Sequence, residues 1–340
     1  MDTQAHVIAR RDGRAGRILL NRPAALNALD LPMIRAISAA LAEWRDDPEV
    51  HLVVIEGAGE RAFCAGGDIR ALRQHQLDGD RPPIDTFFTG EYALNAAIAA
   101  YPKPYVALID GVCMGGGIGV SVHAPYRVAT EHAIFAMPET AIGFFPDIGA
   151  SFFLPRLPGR IGVYLGLTGA RVRGADAVHA GLATHFTPRA ALPALAAALA
   201  ADGIAALATH AAPLPSFTLV PHRAAIDRCF AAPTVPELFA RLAAEDDDAP
   251  DATWAADTLA ALRAVSPSAL FWTRRLLAEG ETRTLAQCLA AEFALGRTTM
   301  RHPDFVEGVR AMVVDKDRSP RWSPARVEDV VPAEIAALFA

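Results

Sequence analysis

What most constrains this chain is a pattern used twice: an apolar run, a glycine-rich loop, then the start of a helix. The second copy lies within Tyr105 to Asp147, YVALIDGVCMGGGIGVSVHAPYRVATEHAIFAMPETAIGFFPD. Tyr105 to Ile109 is short and apolar, which predicts a buried strand ended by Asp110-Gly111. Gly115, Gly116 and Gly117 follow, and then small and apolar residues that suit a helix start. A strand turning through glycines into a helix leaves backbone N–H groups and the positive end of the peptide dipoles facing one spot, which is an anion site. The first copy runs from His51 to Glu56, through a Gly57-Ala58-Gly59 turn, to Phe63-Cys64-Ala65-Gly66-Gly67-Asp68 and Ile69-Arg70-Ala71-Leu72. Two such loops could hold their amides around one oxygen atom, and glycine lets the backbone approach a substrate with no Cβ in the way. Each loop alone reads equally well as an ordinary tight turn. Neither is a nucleotide motif, because no Lys-Ser/Thr follows and the GxGxxG spacing fails at Val120.

Around these loops the chain alternates strand and helix signals. Arg17 to Leu20 is a strand candidate that runs into Asn21-Arg22-Pro23. A helix is expected over Pro32 to Arg45, capped by Asp30, with Ile34, Ile37, Leu41 and Trp44 at helical spacing. Residues 75–85, polar with two prolines, read as a surface loop, and Thr86 to Ala100 as a helix containing Glu91. Val172 to Phe186 reads as a helix that ends at Gly181 and passes into a short strand. From about residue 190 the composition shifts to Ala/Leu helical runs broken by prolines and by the acidic run Glu245 to Asp248, read as solvated. The expectation is an α/β protein with a core over residues 1–200 and a helical region over 201–340 packed on it.

The 340 residues are 52% hydrophobic, ample for a large core. The formal net charge of −6, with no basic tract, speaks against a nucleic-acid partner. Cys64, Cys113, Cys229 and Cys288 form no CxxC and read as free thiols of a reducing compartment, and ten histidines show no HExxH metal pairing. The N-terminal MDTQAHVIARRDGRAG has no apolar signal segment, and no run of about 18 apolar residues is free of charge. A soluble, cytoplasmic protein without a membrane partner is expected.

Two carboxylates stand out. Glu139 follows Met137-Pro138 and precedes Ala141, Ile142, Phe144 and Phe145, and Asp147 follows Phe145-Pro146. Apolar surroundings push a carboxyl pKa upward, towards the range useful for general acid–base work, and two nearby carboxylates can take separate protonation states. Glu139 reads equally well as a loop residue. Asp147 reads first as a helix N-cap after Pro146. Cys64 reads as a small buried thiol rather than a nucleophile.

The blocks Asn21-Arg22-Pro23, FCAGGD, KPYVALIDGVCMGGGIG (Lys103 to Gly119) and FAMPETAIGFFPDIGASFFLPRL (Phe135 to Leu157) resemble the crotonase, or enoyl-CoA hydratase/isomerase, superfamily. Together with Ser266-Pro267-Ser268 and DFVEGVRAMVVDKDRSPRWSP (Asp304 to Pro324), the Met-Pro-Glu-Thr…Phe-Pro-Asp block resembles its 3-hydroxyisobutyryl-CoA hydrolase branch. The likeness covers nearly the whole chain. It implies a spiral of repeated ββα units with a helical C-terminal extension, and hydrolysis of an acyl-CoA thioester in valine catabolism. By motif, the Gly67 and Gly116 amides would hold the thioester oxygen, with Ala65 and Gly66 beside them. Glu139 would be nucleophile or general base, Asp147 the aspartate of the hydrolase branch, and Glu91 a substrate contact. Arg22 and Lys103 are candidates for the CoA phosphates. Coenzyme A is part of the substrate, so no separate cofactor or metal is implied; a homo-oligomer is open to the chain, trimers being common in the superfamily. Related hydratases carry a second glutamate in Gly-Gly-Gly-x-Glu, where this chain has Gly119. That departure tilts the expectation to hydrolysis, with hydratase or Δ3,Δ2-enoyl-CoA isomerase as the alternatives and a non-catalytic acyl-CoA binder behind them.

Overall fold

The computed structural model describes residues 5–245 and 252–339. In chain order the first half contains β1 (Val7–Asp12), β2 (Ala15–Leu20), α1 (Leu31–Arg45), β3 (Leu52–Gly57), β4 (Ala62–Cys64), α2 (Ile69–Leu77), α3 (Arg81–Ala99), β5 (Tyr105–Ile109), β6 (Val112–Met114), α4 (Gly116–Val122), β7 (Tyr126–Ala129) and β8 (Ile134–Ala136). Then come α5 (Ala150–Phe153), α6 (Ile161–Thr168), β9 (Val172–Arg173), α7 (Asp176–His179), β10 (His185–Phe186), α8 (Leu192–Asp202) and α9 (Ala206–His210). The remainder is helical among the described residues: α10 (Arg223–Cys229), α11 (Val235–Ala243), α12 (Ala252–Ala264), α13 (Pro267–Gly280), α14 (Leu285–Thr299), α15 (Pro303–Val309) and α16 (Pro332–Ala337). The chain divides into two compact units, each built from separated segments: Met1–Asp68, Thr86–Ala136 and Arg171–Phe217 in one, Ile69–Asp85, Met137–Ala170 and Thr218–Ala340 in the other.

The first unit holds every strand named above, in two sheets ordered β1-β2-β3-β5-β7-β10 and β4-β6-β8-β9. Apart from the β1–β2 hairpin and the β8–β9 pair, all neighbours run parallel. Parallel interior strands are covered on both faces and so read as continuous apolar runs rather than alternating ones. β5 shows this: all five of its residues are buried. On one face Leu52, Val54, Val106, Leu108 and Val128 pack against Leu195, Leu199 and Leu207 of α8 and α9. Each fully buried aliphatic side chain of this kind contributes about 1.5–3 kcal/mol. α1 packs on β1 and β2, burying Met33, Ile34, Ile37, Ala40, Leu41 and Trp44. Its start follows the expectation, since the Asp30 side chain accepts a hydrogen bond from the Met33 N–H.

The second unit holds helices and no strand among its described residues, and its helices carry explicit start signals. Ser266 caps α13 with Pro267 at its first position, and Thr284 and Gln287 form a reciprocal capping box on α14.

Several sequence expectations need correction. Residues 75–85 are not a surface loop. α2 runs to Leu77 and α3 starts at Arg81, placing Pro82 and Pro83 in a first turn whose N–H groups have no intrahelical acceptor to lose. Val172 to Phe186 is not one helix ending in a strand but β9, the short α7 and β10, divided at Gly174 and Gly181, both at positive φ. The strand β1 went unread because its pattern is one buried residue followed by exposed ones. The apolar run Arg189–His210 is long enough by composition to cross a membrane, yet Leu195, Ala196, Leu199 and Ala200 in it belong to the core against the sheet. Of the acidic run 245–248 only Glu245 lies among the described residues, where it pairs with Arg228 at 2.5 Å; the other three lie outside them.

Candidate active site

In the first unit, β4 and β6 lie side by side and parallel, with Ala62 opposite Val112 and Cys64 opposite Cys113. Their glycine loops therefore leave the same edge of the sheet and meet. A Cβ on Gly66 would lie 3.2 Å from the Met114 carbonyl oxygen and 3.6 Å from the Gly116 nitrogen. One on Gly116 would lie 3.3 Å from the Gly67 nitrogen.

The first loop is held by residues 26–29. Ala65 N–H donates to the Leu26 carbonyl at 3.0 Å, Leu29 N–H to the Gly66 carbonyl at 2.7 Å, and Asp68 N–H to the Leu29 carbonyl at 2.8 Å. This is a parallel bridge between Leu29 and Gly67. In such a bridge the flanking groups are used, so the N–H of Gly67 faces the other side. Asn27, missed as a site-building residue, makes this possible. It is buried at φ 56°, accepts from the Arg22 N–H at 2.9 Å, and donates to the carbonyls of Ala58 at 3.0 Å and Ala62 at 2.9 Å. Asparagine is one of the few non-glycine residues that tolerate that left-handed backbone.

The second loop enters α4 at Gly116. The first intrahelical bonds are those of Ile118 and Gly119 to the Gly115 carbonyl, so the N–H groups of Gly116 and Gly117 precede them. Glu91 on α3 is buried, with its Oε1 next to the Gly116 Cα. The structure therefore brings Ala65, Gly66, Gly67, Gly116 and Glu91 together. Cys64 is buried beneath them, and burial pushes its thiol up to about 12, which suits an inert thiol.

Arg22 and Lys103 have protein partners instead. The Arg22 guanidinium pairs with Asp68 at 2.9 Å and donates to the Ala28 carbonyl at 3.1 Å. Lys103 Nζ donates to the carbonyls of Trp44 and Asp47 at the end of α1, the position where a cation caps a helix. Neither placement supports the expected phosphate role.

The second unit carries Glu139 and Asp147. Glu139 opens a 3-10 turn that runs to Ile142 and closes at Gly143, with φ 67°. Both carboxylates are buried, and Glu139 Oε2 has no hydrogen-bond partner among the described residues. Burial first, and the charge of Asp147 second, hold the Glu139 carboxyl well above the usual carboxylate range. Phe144 and Phe145 stack at 4.3 Å just after the turn, and Phe305 lies edge-on to Phe144 at 6.0 Å. Asp147 is not the expected helix N-cap: the cap of α5 is Gly149, and Ile148 before it has φ 55°.

The C-terminal helices brace both carboxylates. Ser266 N–H donates to the Thr140 carbonyl at 3.1 Å. A Cβ on Gly308 would fall within 3 Å of the Ile142 backbone, so α15 rests directly on the turn. Asp304 of α15, buried, accepts from the Ser266 hydroxyl at 2.6 Å and the Ser323 N–H at 2.7 Å. Glu292 of α14 accepts from the N–H groups of Gly149 and Ser151. Sequence reading passed over Glu292, although its helical spacing with Cys288, Leu289, Leu295 and Gly296 marks a carboxylate on a buried face.

The family model described as enoyl-CoA hydratase/isomerase matches residues 15–339. A relative from Gallus gallus, the mitochondrial 3-hydroxyisobutyryl-CoA hydrolase, is 46% identical over 97% of this chain and 87% of its own. Among solved structures, an enoyl-CoA hydratase from Rhodobacter sphaeroides is 46% identical with a TM-score of 0.90, covering 98% of this chain and 97% of its own. A carnitinyl-CoA dehydratase from Mycobacterium thermoresistibile is 40% identical with a TM-score of 0.92, covering 99% and 97%. These likenesses bear out the crotonase-type α/β fold with its helical C-terminal region. They also correct one expectation: the hydrolase relatives are mitochondrial by name, so the cytoplasmic placement does not stand. Free thiols suit any reducing interior and never discriminated between the two. With a family match over almost its full length, this chain belongs to the enoyl-CoA hydratase/isomerase family.

Proposed function

We propose that this chain hydrolyses 3-hydroxyisobutyryl-CoA to 3-hydroxyisobutyrate and free CoA, a step that would serve valine catabolism. The observation that carries the reading is the buried Glu139, its carboxyl raised by burial and by Asp147, while the position of the hydratases' second glutamate is a buried glycine, Gly119. The resemblance of the Met-Pro-Glu-Thr…Phe-Pro-Asp block to the hydrolase branch, and the hydrolase relatives at 43–46% identity, support it.

The reading assigns the thioester oxygen to the N–H groups of Gly67 and Gly116, flanked by Ala65, Gly66 and Glu91. Each such donor is worth about 2.7–4 kcal/mol of barrier. Glu139, once ionised, either attacks the carbonyl carbon, expelling CoA thiolate and leaving the acyl group on Glu139 as a mixed anhydride that water then cleaves, or takes a proton from the water that attacks. A thiolate is a good leaving group, so neither route demands a strong general acid. Asp147 accepts a hydrogen bond from the acyl 3-hydroxyl, which selects hydroxyacyl substrates.

The test is release of free thiol from 3-hydroxyisobutyryl-CoA beside hydration of crotonyl-CoA, for the native protein and for Glu139→Gln. Thiol release without hydration is expected, falling by roughly 10²–10⁴-fold in the variant. Hydration without thiol release would refute the hydrolase reading in favour of a hydratase in which Asp147 supplies the second carboxylate, a pairing its effect on Glu139 makes specific. A single turnover in heavy-oxygen water tests the covalent route: label in Glu139 marks an anhydride cleaved at the enzyme's own carbonyl, and no label rules out cleavage at that carbonyl only.

A further inference from the structure

The turn that follows Asp147 combines two costly features. Ile148 has φ 55° and Gly149 φ 82°. A β-branched side chain in the left-handed region costs about 1–2 kcal/mol and persists only where its surroundings over-determine the backbone. What determines it here is a carboxylate from the far end of the chain. Glu292, on α14, is fully buried. Its Oε2 accepts from the Gly149 N–H at 2.7 Å, and its Oε1 from the Ser151 N–H at 2.9 Å and from the Ser151 hydroxyl. Replacing a buried charge with well-packed apolar groups is often neutral or stabilising, so a carboxylate at this place is weakly explained by stability. Its three bonds go to Gly149, in the strained turn itself, and to Ser151, in the first turn of α5 that the turn leads into.

We propose that Glu292 is a positioning residue for substrate selection: by holding the Ile148–Gly149 turn in its left-handed conformation, it fixes the direction in which Asp147 presents its carboxylate to the acyl hydroxyl. This rests on the reading of Asp147 as the acceptor for that hydroxyl. Glu292 touches no reacting atom. In Glu292→Gln the side-chain oxygen can still accept from Ser151, but its amide NH2 then faces the Gly149 N–H, donor against donor, and the turn is released on the side nearer Asp147.

The test, run at a pH above the value of about 8 to which burial pushes Glu292 so that both its oxygens accept, compares kcat/KM for 3-hydroxyisobutyryl-CoA with kcat/KM for isobutyryl-CoA, which lacks the hydroxyl, in the full chain and in Glu292→Gln and Asp147→Asn. General structural damage lowers both values and leaves their ratio alone. The ratio is expected to fall roughly tenfold in Glu292→Gln and at least as far in Asp147→Asn, the scale of one hydrogen bond to a charged group. A ratio that falls in Asp147→Asn but stays native in Glu292→Gln overturns the positioning role and leaves the reading of Asp147 standing. A ratio unchanged in both overturns the two together. If Glu292→Gln does not fold, Ser151→Ala keeps the carboxylate and removes one of its three donors. A fall of about threefold in the same ratio is then expected, and an unchanged ratio overturns the proposal.

Discussion

Glu139 and Glu292 are buried carboxylates of the same unit held in opposite ways. Glu292 accepts three hydrogen bonds, while Glu139 Oε2 has no partner among the described residues. Burial pushes Glu292 up to about 8 against the pull of Ser151 and Gly149, with Asp147 adding to the rise. Glu139 is raised well above its ordinary value by burial and then by Asp147. A carboxyl raised on folding binds its proton more tightly in the native state. Its contribution to stability is complete below the unfolded value of 4.5 and is lost as the pH climbs through the folded value. Glu139→Gln removes that loss while keeping the shape of the side chain. The variant is therefore expected to melt above the native protein at neutral pH, by a margin that widens from acid to mildly alkaline solution, while its turnover collapses. Melting curves over that range decide it: a margin independent of pH, or a variant less stable throughout, would show that Glu139 does not bear the burden assigned to it.

At the scale of the elements, the meeting of the two glycine loops makes neighbouring glycines unequal. A Cβ on Gly117 would fall within 3 Å of the Cys64 backbone, which cannot move without shifting β4. A Cβ on Gly116 would meet the end of the Glu91 side chain, which can swing aside, and the Gly67 nitrogen at a tight 3.3 Å. Gly117→Ala is thus expected to destabilise by about 1–3 kcal/mol, as overpacking does. Gly116→Ala should fold near normally and lose most thioester hydrolysis, because it displaces Glu91 and crowds the Gly67 amide. Denaturant midpoints and thiol-release rates on the two variants separate the cases, and equal stability losses would contradict the loop geometry. The same elements show what sequence reading can reach. The glycine loops, the buried β5, the capped α1 and the two carboxylates were legible because local spacing and apolar pattern carry them. The short β9 and β10 were absorbed into a helix, since two residues of strand leave no periodicity and only the turn glycines divided them. Arg22 and Lys103 looked free for phosphate because no local signal in the chain says that Asp68 and the end of α1 take them. Asn27 and Glu292 act through partners far away in sequence, 31 and 143 residues in their clearest bonds, and spacing along the chain is blind to that.

For the whole molecule, the sequence suggested a core over residues 1–200 that the remaining helices merely cover. The contacts around Glu139 and Asp147 give those helices a larger part. Thr140 receives the Ser266 N–H, Ile142 lies against Gly308, Phe144 meets Phe305, and the turn after Asp147 is held by Glu292. A chain ended at Ala200 would expose Phe144, Phe145, Leu154, Leu165 and Leu167, all buried in the full protein, and would leave the strained Ile148 with nothing to hold it. The strands and their hydrogen bonds would remain, as would the part of α8 up to Ala200 that covers the first sheet. Such a chain is expected to keep strand signal in the far-ultraviolet, to lose the fixed aromatic signal of the near-ultraviolet, to bind hydrophobic dyes and to release no thiol, the signs of secondary structure without specific packing. Adding residues 201–340 as a separate chain tests whether the bracing alone is missing. Recovery of thiol release on mixing would show that the helical segments complete the fold around Glu139 without covalent connection. A shortened chain that melts cooperatively and retains its near-ultraviolet signal would mean instead that the first 200 residues fold on their own and the helices are a covering after all.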